Sequence, residues 1–418
     1  MANGLDPYTL PVHVGQTLLW PVWLVISYVI SGLVPFGSPF VYIGIIKLAP
    51  IAADLLLPFV VIKAIESLSG VGTSLQNKTR IVKLILLNPL LILASSFWAM
   101  TDSIAVLLIL LSFIAVSKNR IVVSSIFVAL SFSLKLYPIV FVPPIGLVLI
   151  WKHRSLLHAS LFSVLTALTS AVIAFGPFFI FQWNINLFYG VFGSQLVRLP
   201  GGIAPFGAMA ALTADNPFSD IFIQIYSFLN SLLVFRLLWI IGLFIVTVLL
   251  LIRRPPESSI SWRKNESIPF SNVRDDNVFS LLPALCLLYF FIWFLLAPWV
   301  SEQNFVTPLI ILLVSSYVRL SREDIQSEAT RPTEMTIYSK VTALVSIFAF
   351  LNVPFPAFFF LFLEALDFLI YNPILRLIRA VGLFIVSLVL LTTVIKFYFS
   401  NRMKDRFHES AMASRNVP

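Results

Sequence analysis

One cysteine, Cys286, is all that the 418-residue chain carries. That excludes an intrachain disulfide and leaves no thiol set for a structural metal. Histidine is nearly as scarce: His13, His153, His158 and His408 show no metal-ligand spacing, and no metal site is expected. The chain has no phosphate-cradling glycine-rich loop, no H-E-x-x-H and no nucleophile elbow, so the familiar soluble catalytic frameworks are excluded. The most telling shortage is of charge. Asp, Glu, Lys and Arg make up 11% of the chain, against about a quarter in a soluble domain.

What fills the space is apolar. Hydrophobic residues make up 59% of the chain and the mean hydropathy is +0.96. A chain with so little polar surface has lipid as its solvent, and in lipid every backbone group must be bonded internally. Long apolar runs such as 156–182 and 376–398 do not alternate, which favours helices over a barrel. The expected class is an all-α, polytopic integral membrane protein.

The net charge of +9 reads as topology rather than as a nucleic-acid surface, because cytoplasmic loops concentrate Lys and Arg. Six basic clusters (63–83, 118–120, 152–154, 253–274, 319–340 and 396–415) hold 22 of the 28 Lys and Arg residues. If all six are cytoplasmic, an even number of crossings separates each neighbouring pair. Trp98–Ser103, Lys135–Pro138 and Pro298–Asn304 then become outer turns, with Pro138 a natural break in the run 121–151. The spans expected are 40–62, 84–100, 102–117, 121–134, 138–151, 156–180, 230–252, 278–298, 303–318, 340–360 and 376–398, about eleven, several shorter than the usual twenty residues and therefore tilted or broken.

The resulting organisation is an outer tail (1–16), a juxtamembrane helix or extra span (17–35), a first membrane module (40–182), an outer loop (183–220), a second membrane module (221–398) and a cytoplasmic tail (399–418). Parity places 17–35 in the outer interface, because a crossing there would move the 63–83 cluster to the other side. The sequons at Asn77 and Asn265 fall on the cytoplasmic side and are expected to stay unmodified.

This topology gathers the unusual polar residues on the outer face. Asp102 and Ser103 stand at one turn, Lys135 and Tyr137 at a second, and Glu302 and Gln303 at a third, with Arg198 in the long loop. Ionisable groups beside apolar spans are costly and usually face a protein cavity. Each also has a plainer reading. Asp102 can N-cap a helix over 103–117, Lys135 can snorkel to the interface, and Glu302 can be a solvated loop residue.

Three strings carry a resemblance. Asn88-Pro89 through Ser95-Ser96, followed by Thr101-Asp102-Ser103, is similar to the N-P…S-S…A-D-S segment of the GPI mannosyltransferase I catalytic subunit family. Ser133-Leu134-Lys135-Leu136-Tyr137-Pro138 is similar to its K-x-Y-P segment, and Asn3 to Tyr8 to the G-x-x-P-Y that ends its first luminal loop. The strings keep their order across residues 3–144. The resemblance implies a GT-C-like fold and a hexosyltransferase of mannosyltransferase type. Mannose would pass from a polyprenyl-phosphate donor such as dolichyl-phosphate mannose to a glycan or glycolipid acceptor on the outer or luminal side, with inversion.

In that reading Asp102 and Asp6 are the catalytic acids, and Ser103, Lys135, Tyr137, Arg198, Glu302 and Gln303 bind substrate. Lys135 or Arg198 would stabilise the phosphate leaving group. A divalent cation is the one cofactor candidate. The family's catalytic loop precedes the G-x-x-P-Y string, whereas this sequence starts two residues before its match; either the sequence begins late, or the first helix is absent and the usual base with it, leaving Asp6 the nearest acid.

A non-catalytic subunit of GPI transamidase resembles the same module, with a similar L-x-P-Y and S-L-Y-P, and gives the second expectation: a lipid-binding scaffold with partner subunits. A lipid or solute transporter is the third. The expected location is a multi-pass protein of the cell or endoplasmic reticulum membrane with a cytoplasmic C-terminus.

Overall fold

The computed structural model describes residues 19–33, 39–92, 94, 100–181, 201–202, 237–252, 278–297, 299–300 and 302–323, with single positions at 382, 385, 388, 389 and 392. Within these the chain is helical, apart from a two-residue parallel pairing of Gly201–Gly202 with Trp299–Val300. The expected all-α membrane protein is observed. Among the described residues, three helices are long and apolar enough to cross a bilayer: Phe40–Ser69, Leu156–Gly176 and Val278–Leu296.

The helices in order are α1 (Leu19–Gly32), α2 (Pro39–Ser69), α3 (Leu75–Leu86), α4 (Pro89–Ile92), α5 (Asp102–Ser117), α6 (Ile121–Leu134), α7 (Val142–His153), α8 (Leu156–Phe181), α9 (Leu238–Ile252), α10 (Leu282–Leu296) and α11 (Val306–Glu323). Short 3-10 turns at Tyr137–Phe141, Val278–Leu281 and Glu302–Phe305 lead into α7, α10 and α11.

The core follows from α10. In its apolar window 72% of the residues are buried, against 17% in α8, so α10 is central and α8 peripheral. Phe290, Phe294 and Phe305 meet edge to face around it, and Phe141 stacks on Phe290. Gly242 lets α9 approach closely: a Cβ there would collide with Leu296 and crowd Ile292. Outward-facing Phe59, Leu168, Val172 and Phe244 are all exposed, a surface that water would not tolerate and lipid does.

Two spans differ from expectation. The crossing placed at 84–100 begins earlier and is broken: α3 ends at Leu86 and α4 restarts at Pro89. Proline disfavours helical backbone in the residue before it and lacks the N–H that would continue the ladder. Asn88 bridges the gap, its Oδ1 accepting from Leu90 N at 3.0 Å and Leu91 N at 3.4 Å. The start of α3 is tied to the end of α2, where Glu66 pairs with Lys78 at 3.0 Å and Lys63 at 3.5 Å.

The 138–151 span is likewise a 3-10 turn followed by α7, with the break one turn ahead of Pro138, at Lys135–Leu136. The segment expected at 17–35 is α1, which leans on α2 through Trp23 Nε1 donating to Ile46 O at 3.2 Å. The spans expected at 340–360 and 376–398 and the loop 183–220 lie wholly or almost wholly outside the described residues.

Candidate functional site

α5 and α6 form an antiparallel hairpin stitched by polar side chains. Ser131 Oγ donates to Ala105 O at 2.9 Å, and Ser112 Oγ meets Ser124 Oγ at 2.7 Å. Such bonds hold helices together in lipid, where apolar burial supplies little preference between partners. The sixteen residues of α5 and the fourteen of α6 rise about 24 and 21 Å, short of a hydrocarbon core of about 30 Å.

The mouth of this hairpin holds the residues singled out above. Asp102 opens α5, and Lys135 follows α6 with extended backbone. Asp102 Oδ2 lies 3.2 Å from Lys135 Nζ, with the carboxylate 0% and the ammonium 14% exposed. The contact is an ion pair without hydrogen-bond alignment: neither Asp102 oxygen, nor Thr101 Oγ1, nor Ser103 Oγ has a hydrogen-bond partner among the described residues. Asp102 is not the helix cap. Thr101 takes that place, its carbonyl accepting from Ala105 N at 2.9 Å, and its side chain makes no cap bond. The acid sits at a helix N-terminus and the cation at a helix C-terminus, so each charge complements its own macrodipole as well as the other.

Tyr137 turns away to a different partner. Its hydroxyl meets Thr307 Oγ1 at 2.5 Å, and its ring packs against Phe290 and Trp293 at 6.1 and 5.9 Å. It therefore ties the end of α6 to α10 and α11. Thr307 was missed in the sequence because a threonine within an apolar run carries no motif. Glu302 and Gln303 begin the 3-10 turn entering α11, close in sequence to Thr307, and their side chains are not described. Asp6 and Arg198 lie outside the described residues. The structure thus brings together Asp102 and Lys135, and separately Tyr137 and Thr307. Among the described residues no group of three His, Cys, Asp or Glu side chains gathers to hold a metal.

Asp102 has no exposed surface, and its charge is met by Lys135. A polytopic helical membrane protein whose charged motif residues fasten helix ends is the class that fold and site define. The family model described as "GPI transamidase subunit PIG-U" matches residues 1–197, just under half of the chain. No curated protein and no solved structure matches it.

This match overturns the resemblance to the GPI mannosyltransferase I catalytic subunit, for it covers the very stretch, 3–144, that carried the resemblance. The hexosyltransferase activity, the sugar donor and the glycan acceptor fall with it. The three strings were too short to separate the two families that the sequence resembles. The second of the expectations above, the transamidase-type subunit, is the one favoured.

Proposed function

We propose that the chain is a non-catalytic membrane subunit of a GPI transamidase complex, resident in the endoplasmic reticulum, binding lipid and holding partner subunits. The observation that carries this reading is the family-model match over residues 1–197. The closed Asp102–Lys135 pair supports it, since the residues best placed for chemistry are spent on joining α5 to α6. We read the full architecture as about eleven crossings, with the shorter apolar helices completing them, the C-terminus cytoplasmic, and a GT-C-like arrangement in the first module. Arg198, Glu302 and Gln303, at or near the expected outer turns, then belong to the luminal face on which partners dock.

The test separates two lesions. Transamidation exchanges a C-terminal peptide for a preformed glycolipid, so cells lacking the chain should accumulate finished glycolipid and unprocessed proteins. The tagged chain should also co-purify with the peptide-cleaving subunit. A block before the first mannose, with no co-purifying subunits, would return the chain to the glycosyltransferases.

A further inference from the structure

The α5–α6 hairpin carries charge at both ends and answers it at one. At its mouth Asp102 and Lys135 meet at 3.2 Å. At the turn joining the two helices, Lys118 and Arg120 are both exposed, and neither side chain has an ion pair or a hydrogen bond among the described residues. The backbone between them is fixed. Lys118 N donates to Ala115 O at 3.2 Å, Asn119 N to Val116 O at 3.0 Å and Arg120 N to Ala115 O at 2.9 Å. Asn119 takes the left-handed conformation, φ 59°, so the two cations stand two residues apart on a tight turn.

Immediately after the turn, α6 exposes Val122, Val123 and Ile126. Apolar side chains uncovered this close to the cations put the turn at the edge of the lipid rather than out in water. Length decides which end of the hairpin reaches that edge. Helices rising about 24 and 21 Å cannot meet both faces of a hydrocarbon core of about 30 Å, so one end is recessed. The mouth tolerates this, because its acid is fully buried and its charge is met within the protein. The turn does not, because an unanswered ammonium and guanidinium in hydrocarbon are costly.

We propose that Lys118 and Arg120 grip the phosphate of one anionic phospholipid of the cytoplasmic leaflet and so pin the hairpin to that face. Charge complementarity chooses the occupant. The 118–120 cluster is one of the six read as cytoplasmic, and anionic lipids gather in that leaflet. A planar guanidinium fork and an ammonium with three donors can share one phosphate, while an acyl chain lies along Val122 and Ile126. An acidic segment of a partner subunit would match the cations but leave the apolar residues beside them uncovered. With the turn held at the inner boundary, the Asp102–Lys135 mouth lies about 6–9 Å beneath the outer edge of the hydrocarbon core. The inference rests on the sidedness of the basic clusters and is independent of the subunit reading.

The experiment uses the full chain, purified with whatever subunits accompany it, in nanodiscs of phosphatidylcholine containing a trace of photoactivatable phosphatidylserine or, in parallel, photoactivatable phosphatidylcholine. Labelling within 117–126 should favour the anionic probe by roughly 25-fold, one factor of about five per cation at an anionic surface. K118Q and R120Q should each reduce that preference to about fivefold, and K118Q/R120Q to parity. K83Q removes an exposed cation of α3 and should leave the preference at the turn unchanged. Phosphatidylcholine labelling should stay constant in all variants, which also reports that they remain folded. Equal labelling of the parent by both probes would show ordinary annular lipid and overturn the proposal. So would anionic label mapping elsewhere, a turn left unlabelled because a subunit covers it, or a loss in K83Q as large as that in K118Q. Should K118Q/R120Q lose phosphatidylcholine labelling as well, the two single variants decide, and an unchanged preference in both would equally overturn it.

Discussion

Lys135→Met should cost more stability than Asp102→Asn, although the two residues share one contact. The pair is lopsided: Asp102 is 0% exposed and Lys135 14%. Removing the lysine strands a carboxylate that water cannot reach, and breaking a buried pair in this way costs about 3–5 kcal/mol. Removing the acid leaves an ammonium that can re-extend toward water on its four-carbon stem, so the loss is smaller, about 1–3 kcal/mol, including the dipole contribution of roughly 0.3–1 kcal/mol at the start of α5. The double variant, with no charge to strand, should lie within about 1–2 kcal/mol of the parent. The coupling energy from the cycle should therefore exceed about 2 kcal/mol. Reversible unfolding of the full chain in mixed micelles measures all four corners. Additive single losses would refute the pair as a helix-end lock, and a larger loss in Asp102→Asn would refute the argument from exposure.

Two further substitutions probe the packing around this hairpin. Gly242→Leu places a side chain where even a Cβ meets Leu296; it should separate α9 from α10 and lower stability by about 1–3 kcal/mol, whereas an unchanged melting temperature would mean that the two helices do not pack this closely. Tyr137→Phe keeps the ring contacts and removes the bond to Thr307; a loss of about 1 kcal/mol is expected, Tyr137→Phe/Thr307→Val should recover part of it, and a loss near zero would mean that lipid-phase water satisfies both hydroxyls.

The class and one of the breaks were legible because they depend on local physics. Pro138 marks an interruption that was read from the sequence, whereas the break before Pro89 was not, and α2 runs through Pro50 and Pro58 unbroken. The sequence also shows where apolar runs begin and end. What it shows poorly is how a break is accommodated. The run 84–100 reads as a single apolar stretch, yet α3 starts well before it, within the basic flank at Leu75, because Ser74 can cap it: Ser74 Oγ accepts from Asn77 N at 3.3 Å. Lys78, Arg80 and Lys83 then ride on the helix instead of preceding it. The cap was there to be read, but the basic residues drew the segment into a loop.

The pairing of Asp102 with Lys135 joins two residues that the sequence singled out, but their burial gives the pair a structural meaning that the sequence does not announce. Asp-Ser at one turn and Lys-x-Tyr-Pro at another are the residue types that phosphate chemistry uses. They are also the types that close a short helical hairpin in lipid. An acid suits the first turn of α5, a cation suits the end of α6, and a proline stops the chain from running on. At the depth set by helices of about 21–24 Å, neither charge is tolerable alone, so the two must meet whether or not a reaction takes place there. The strings thus report the hairpin before they report a reaction.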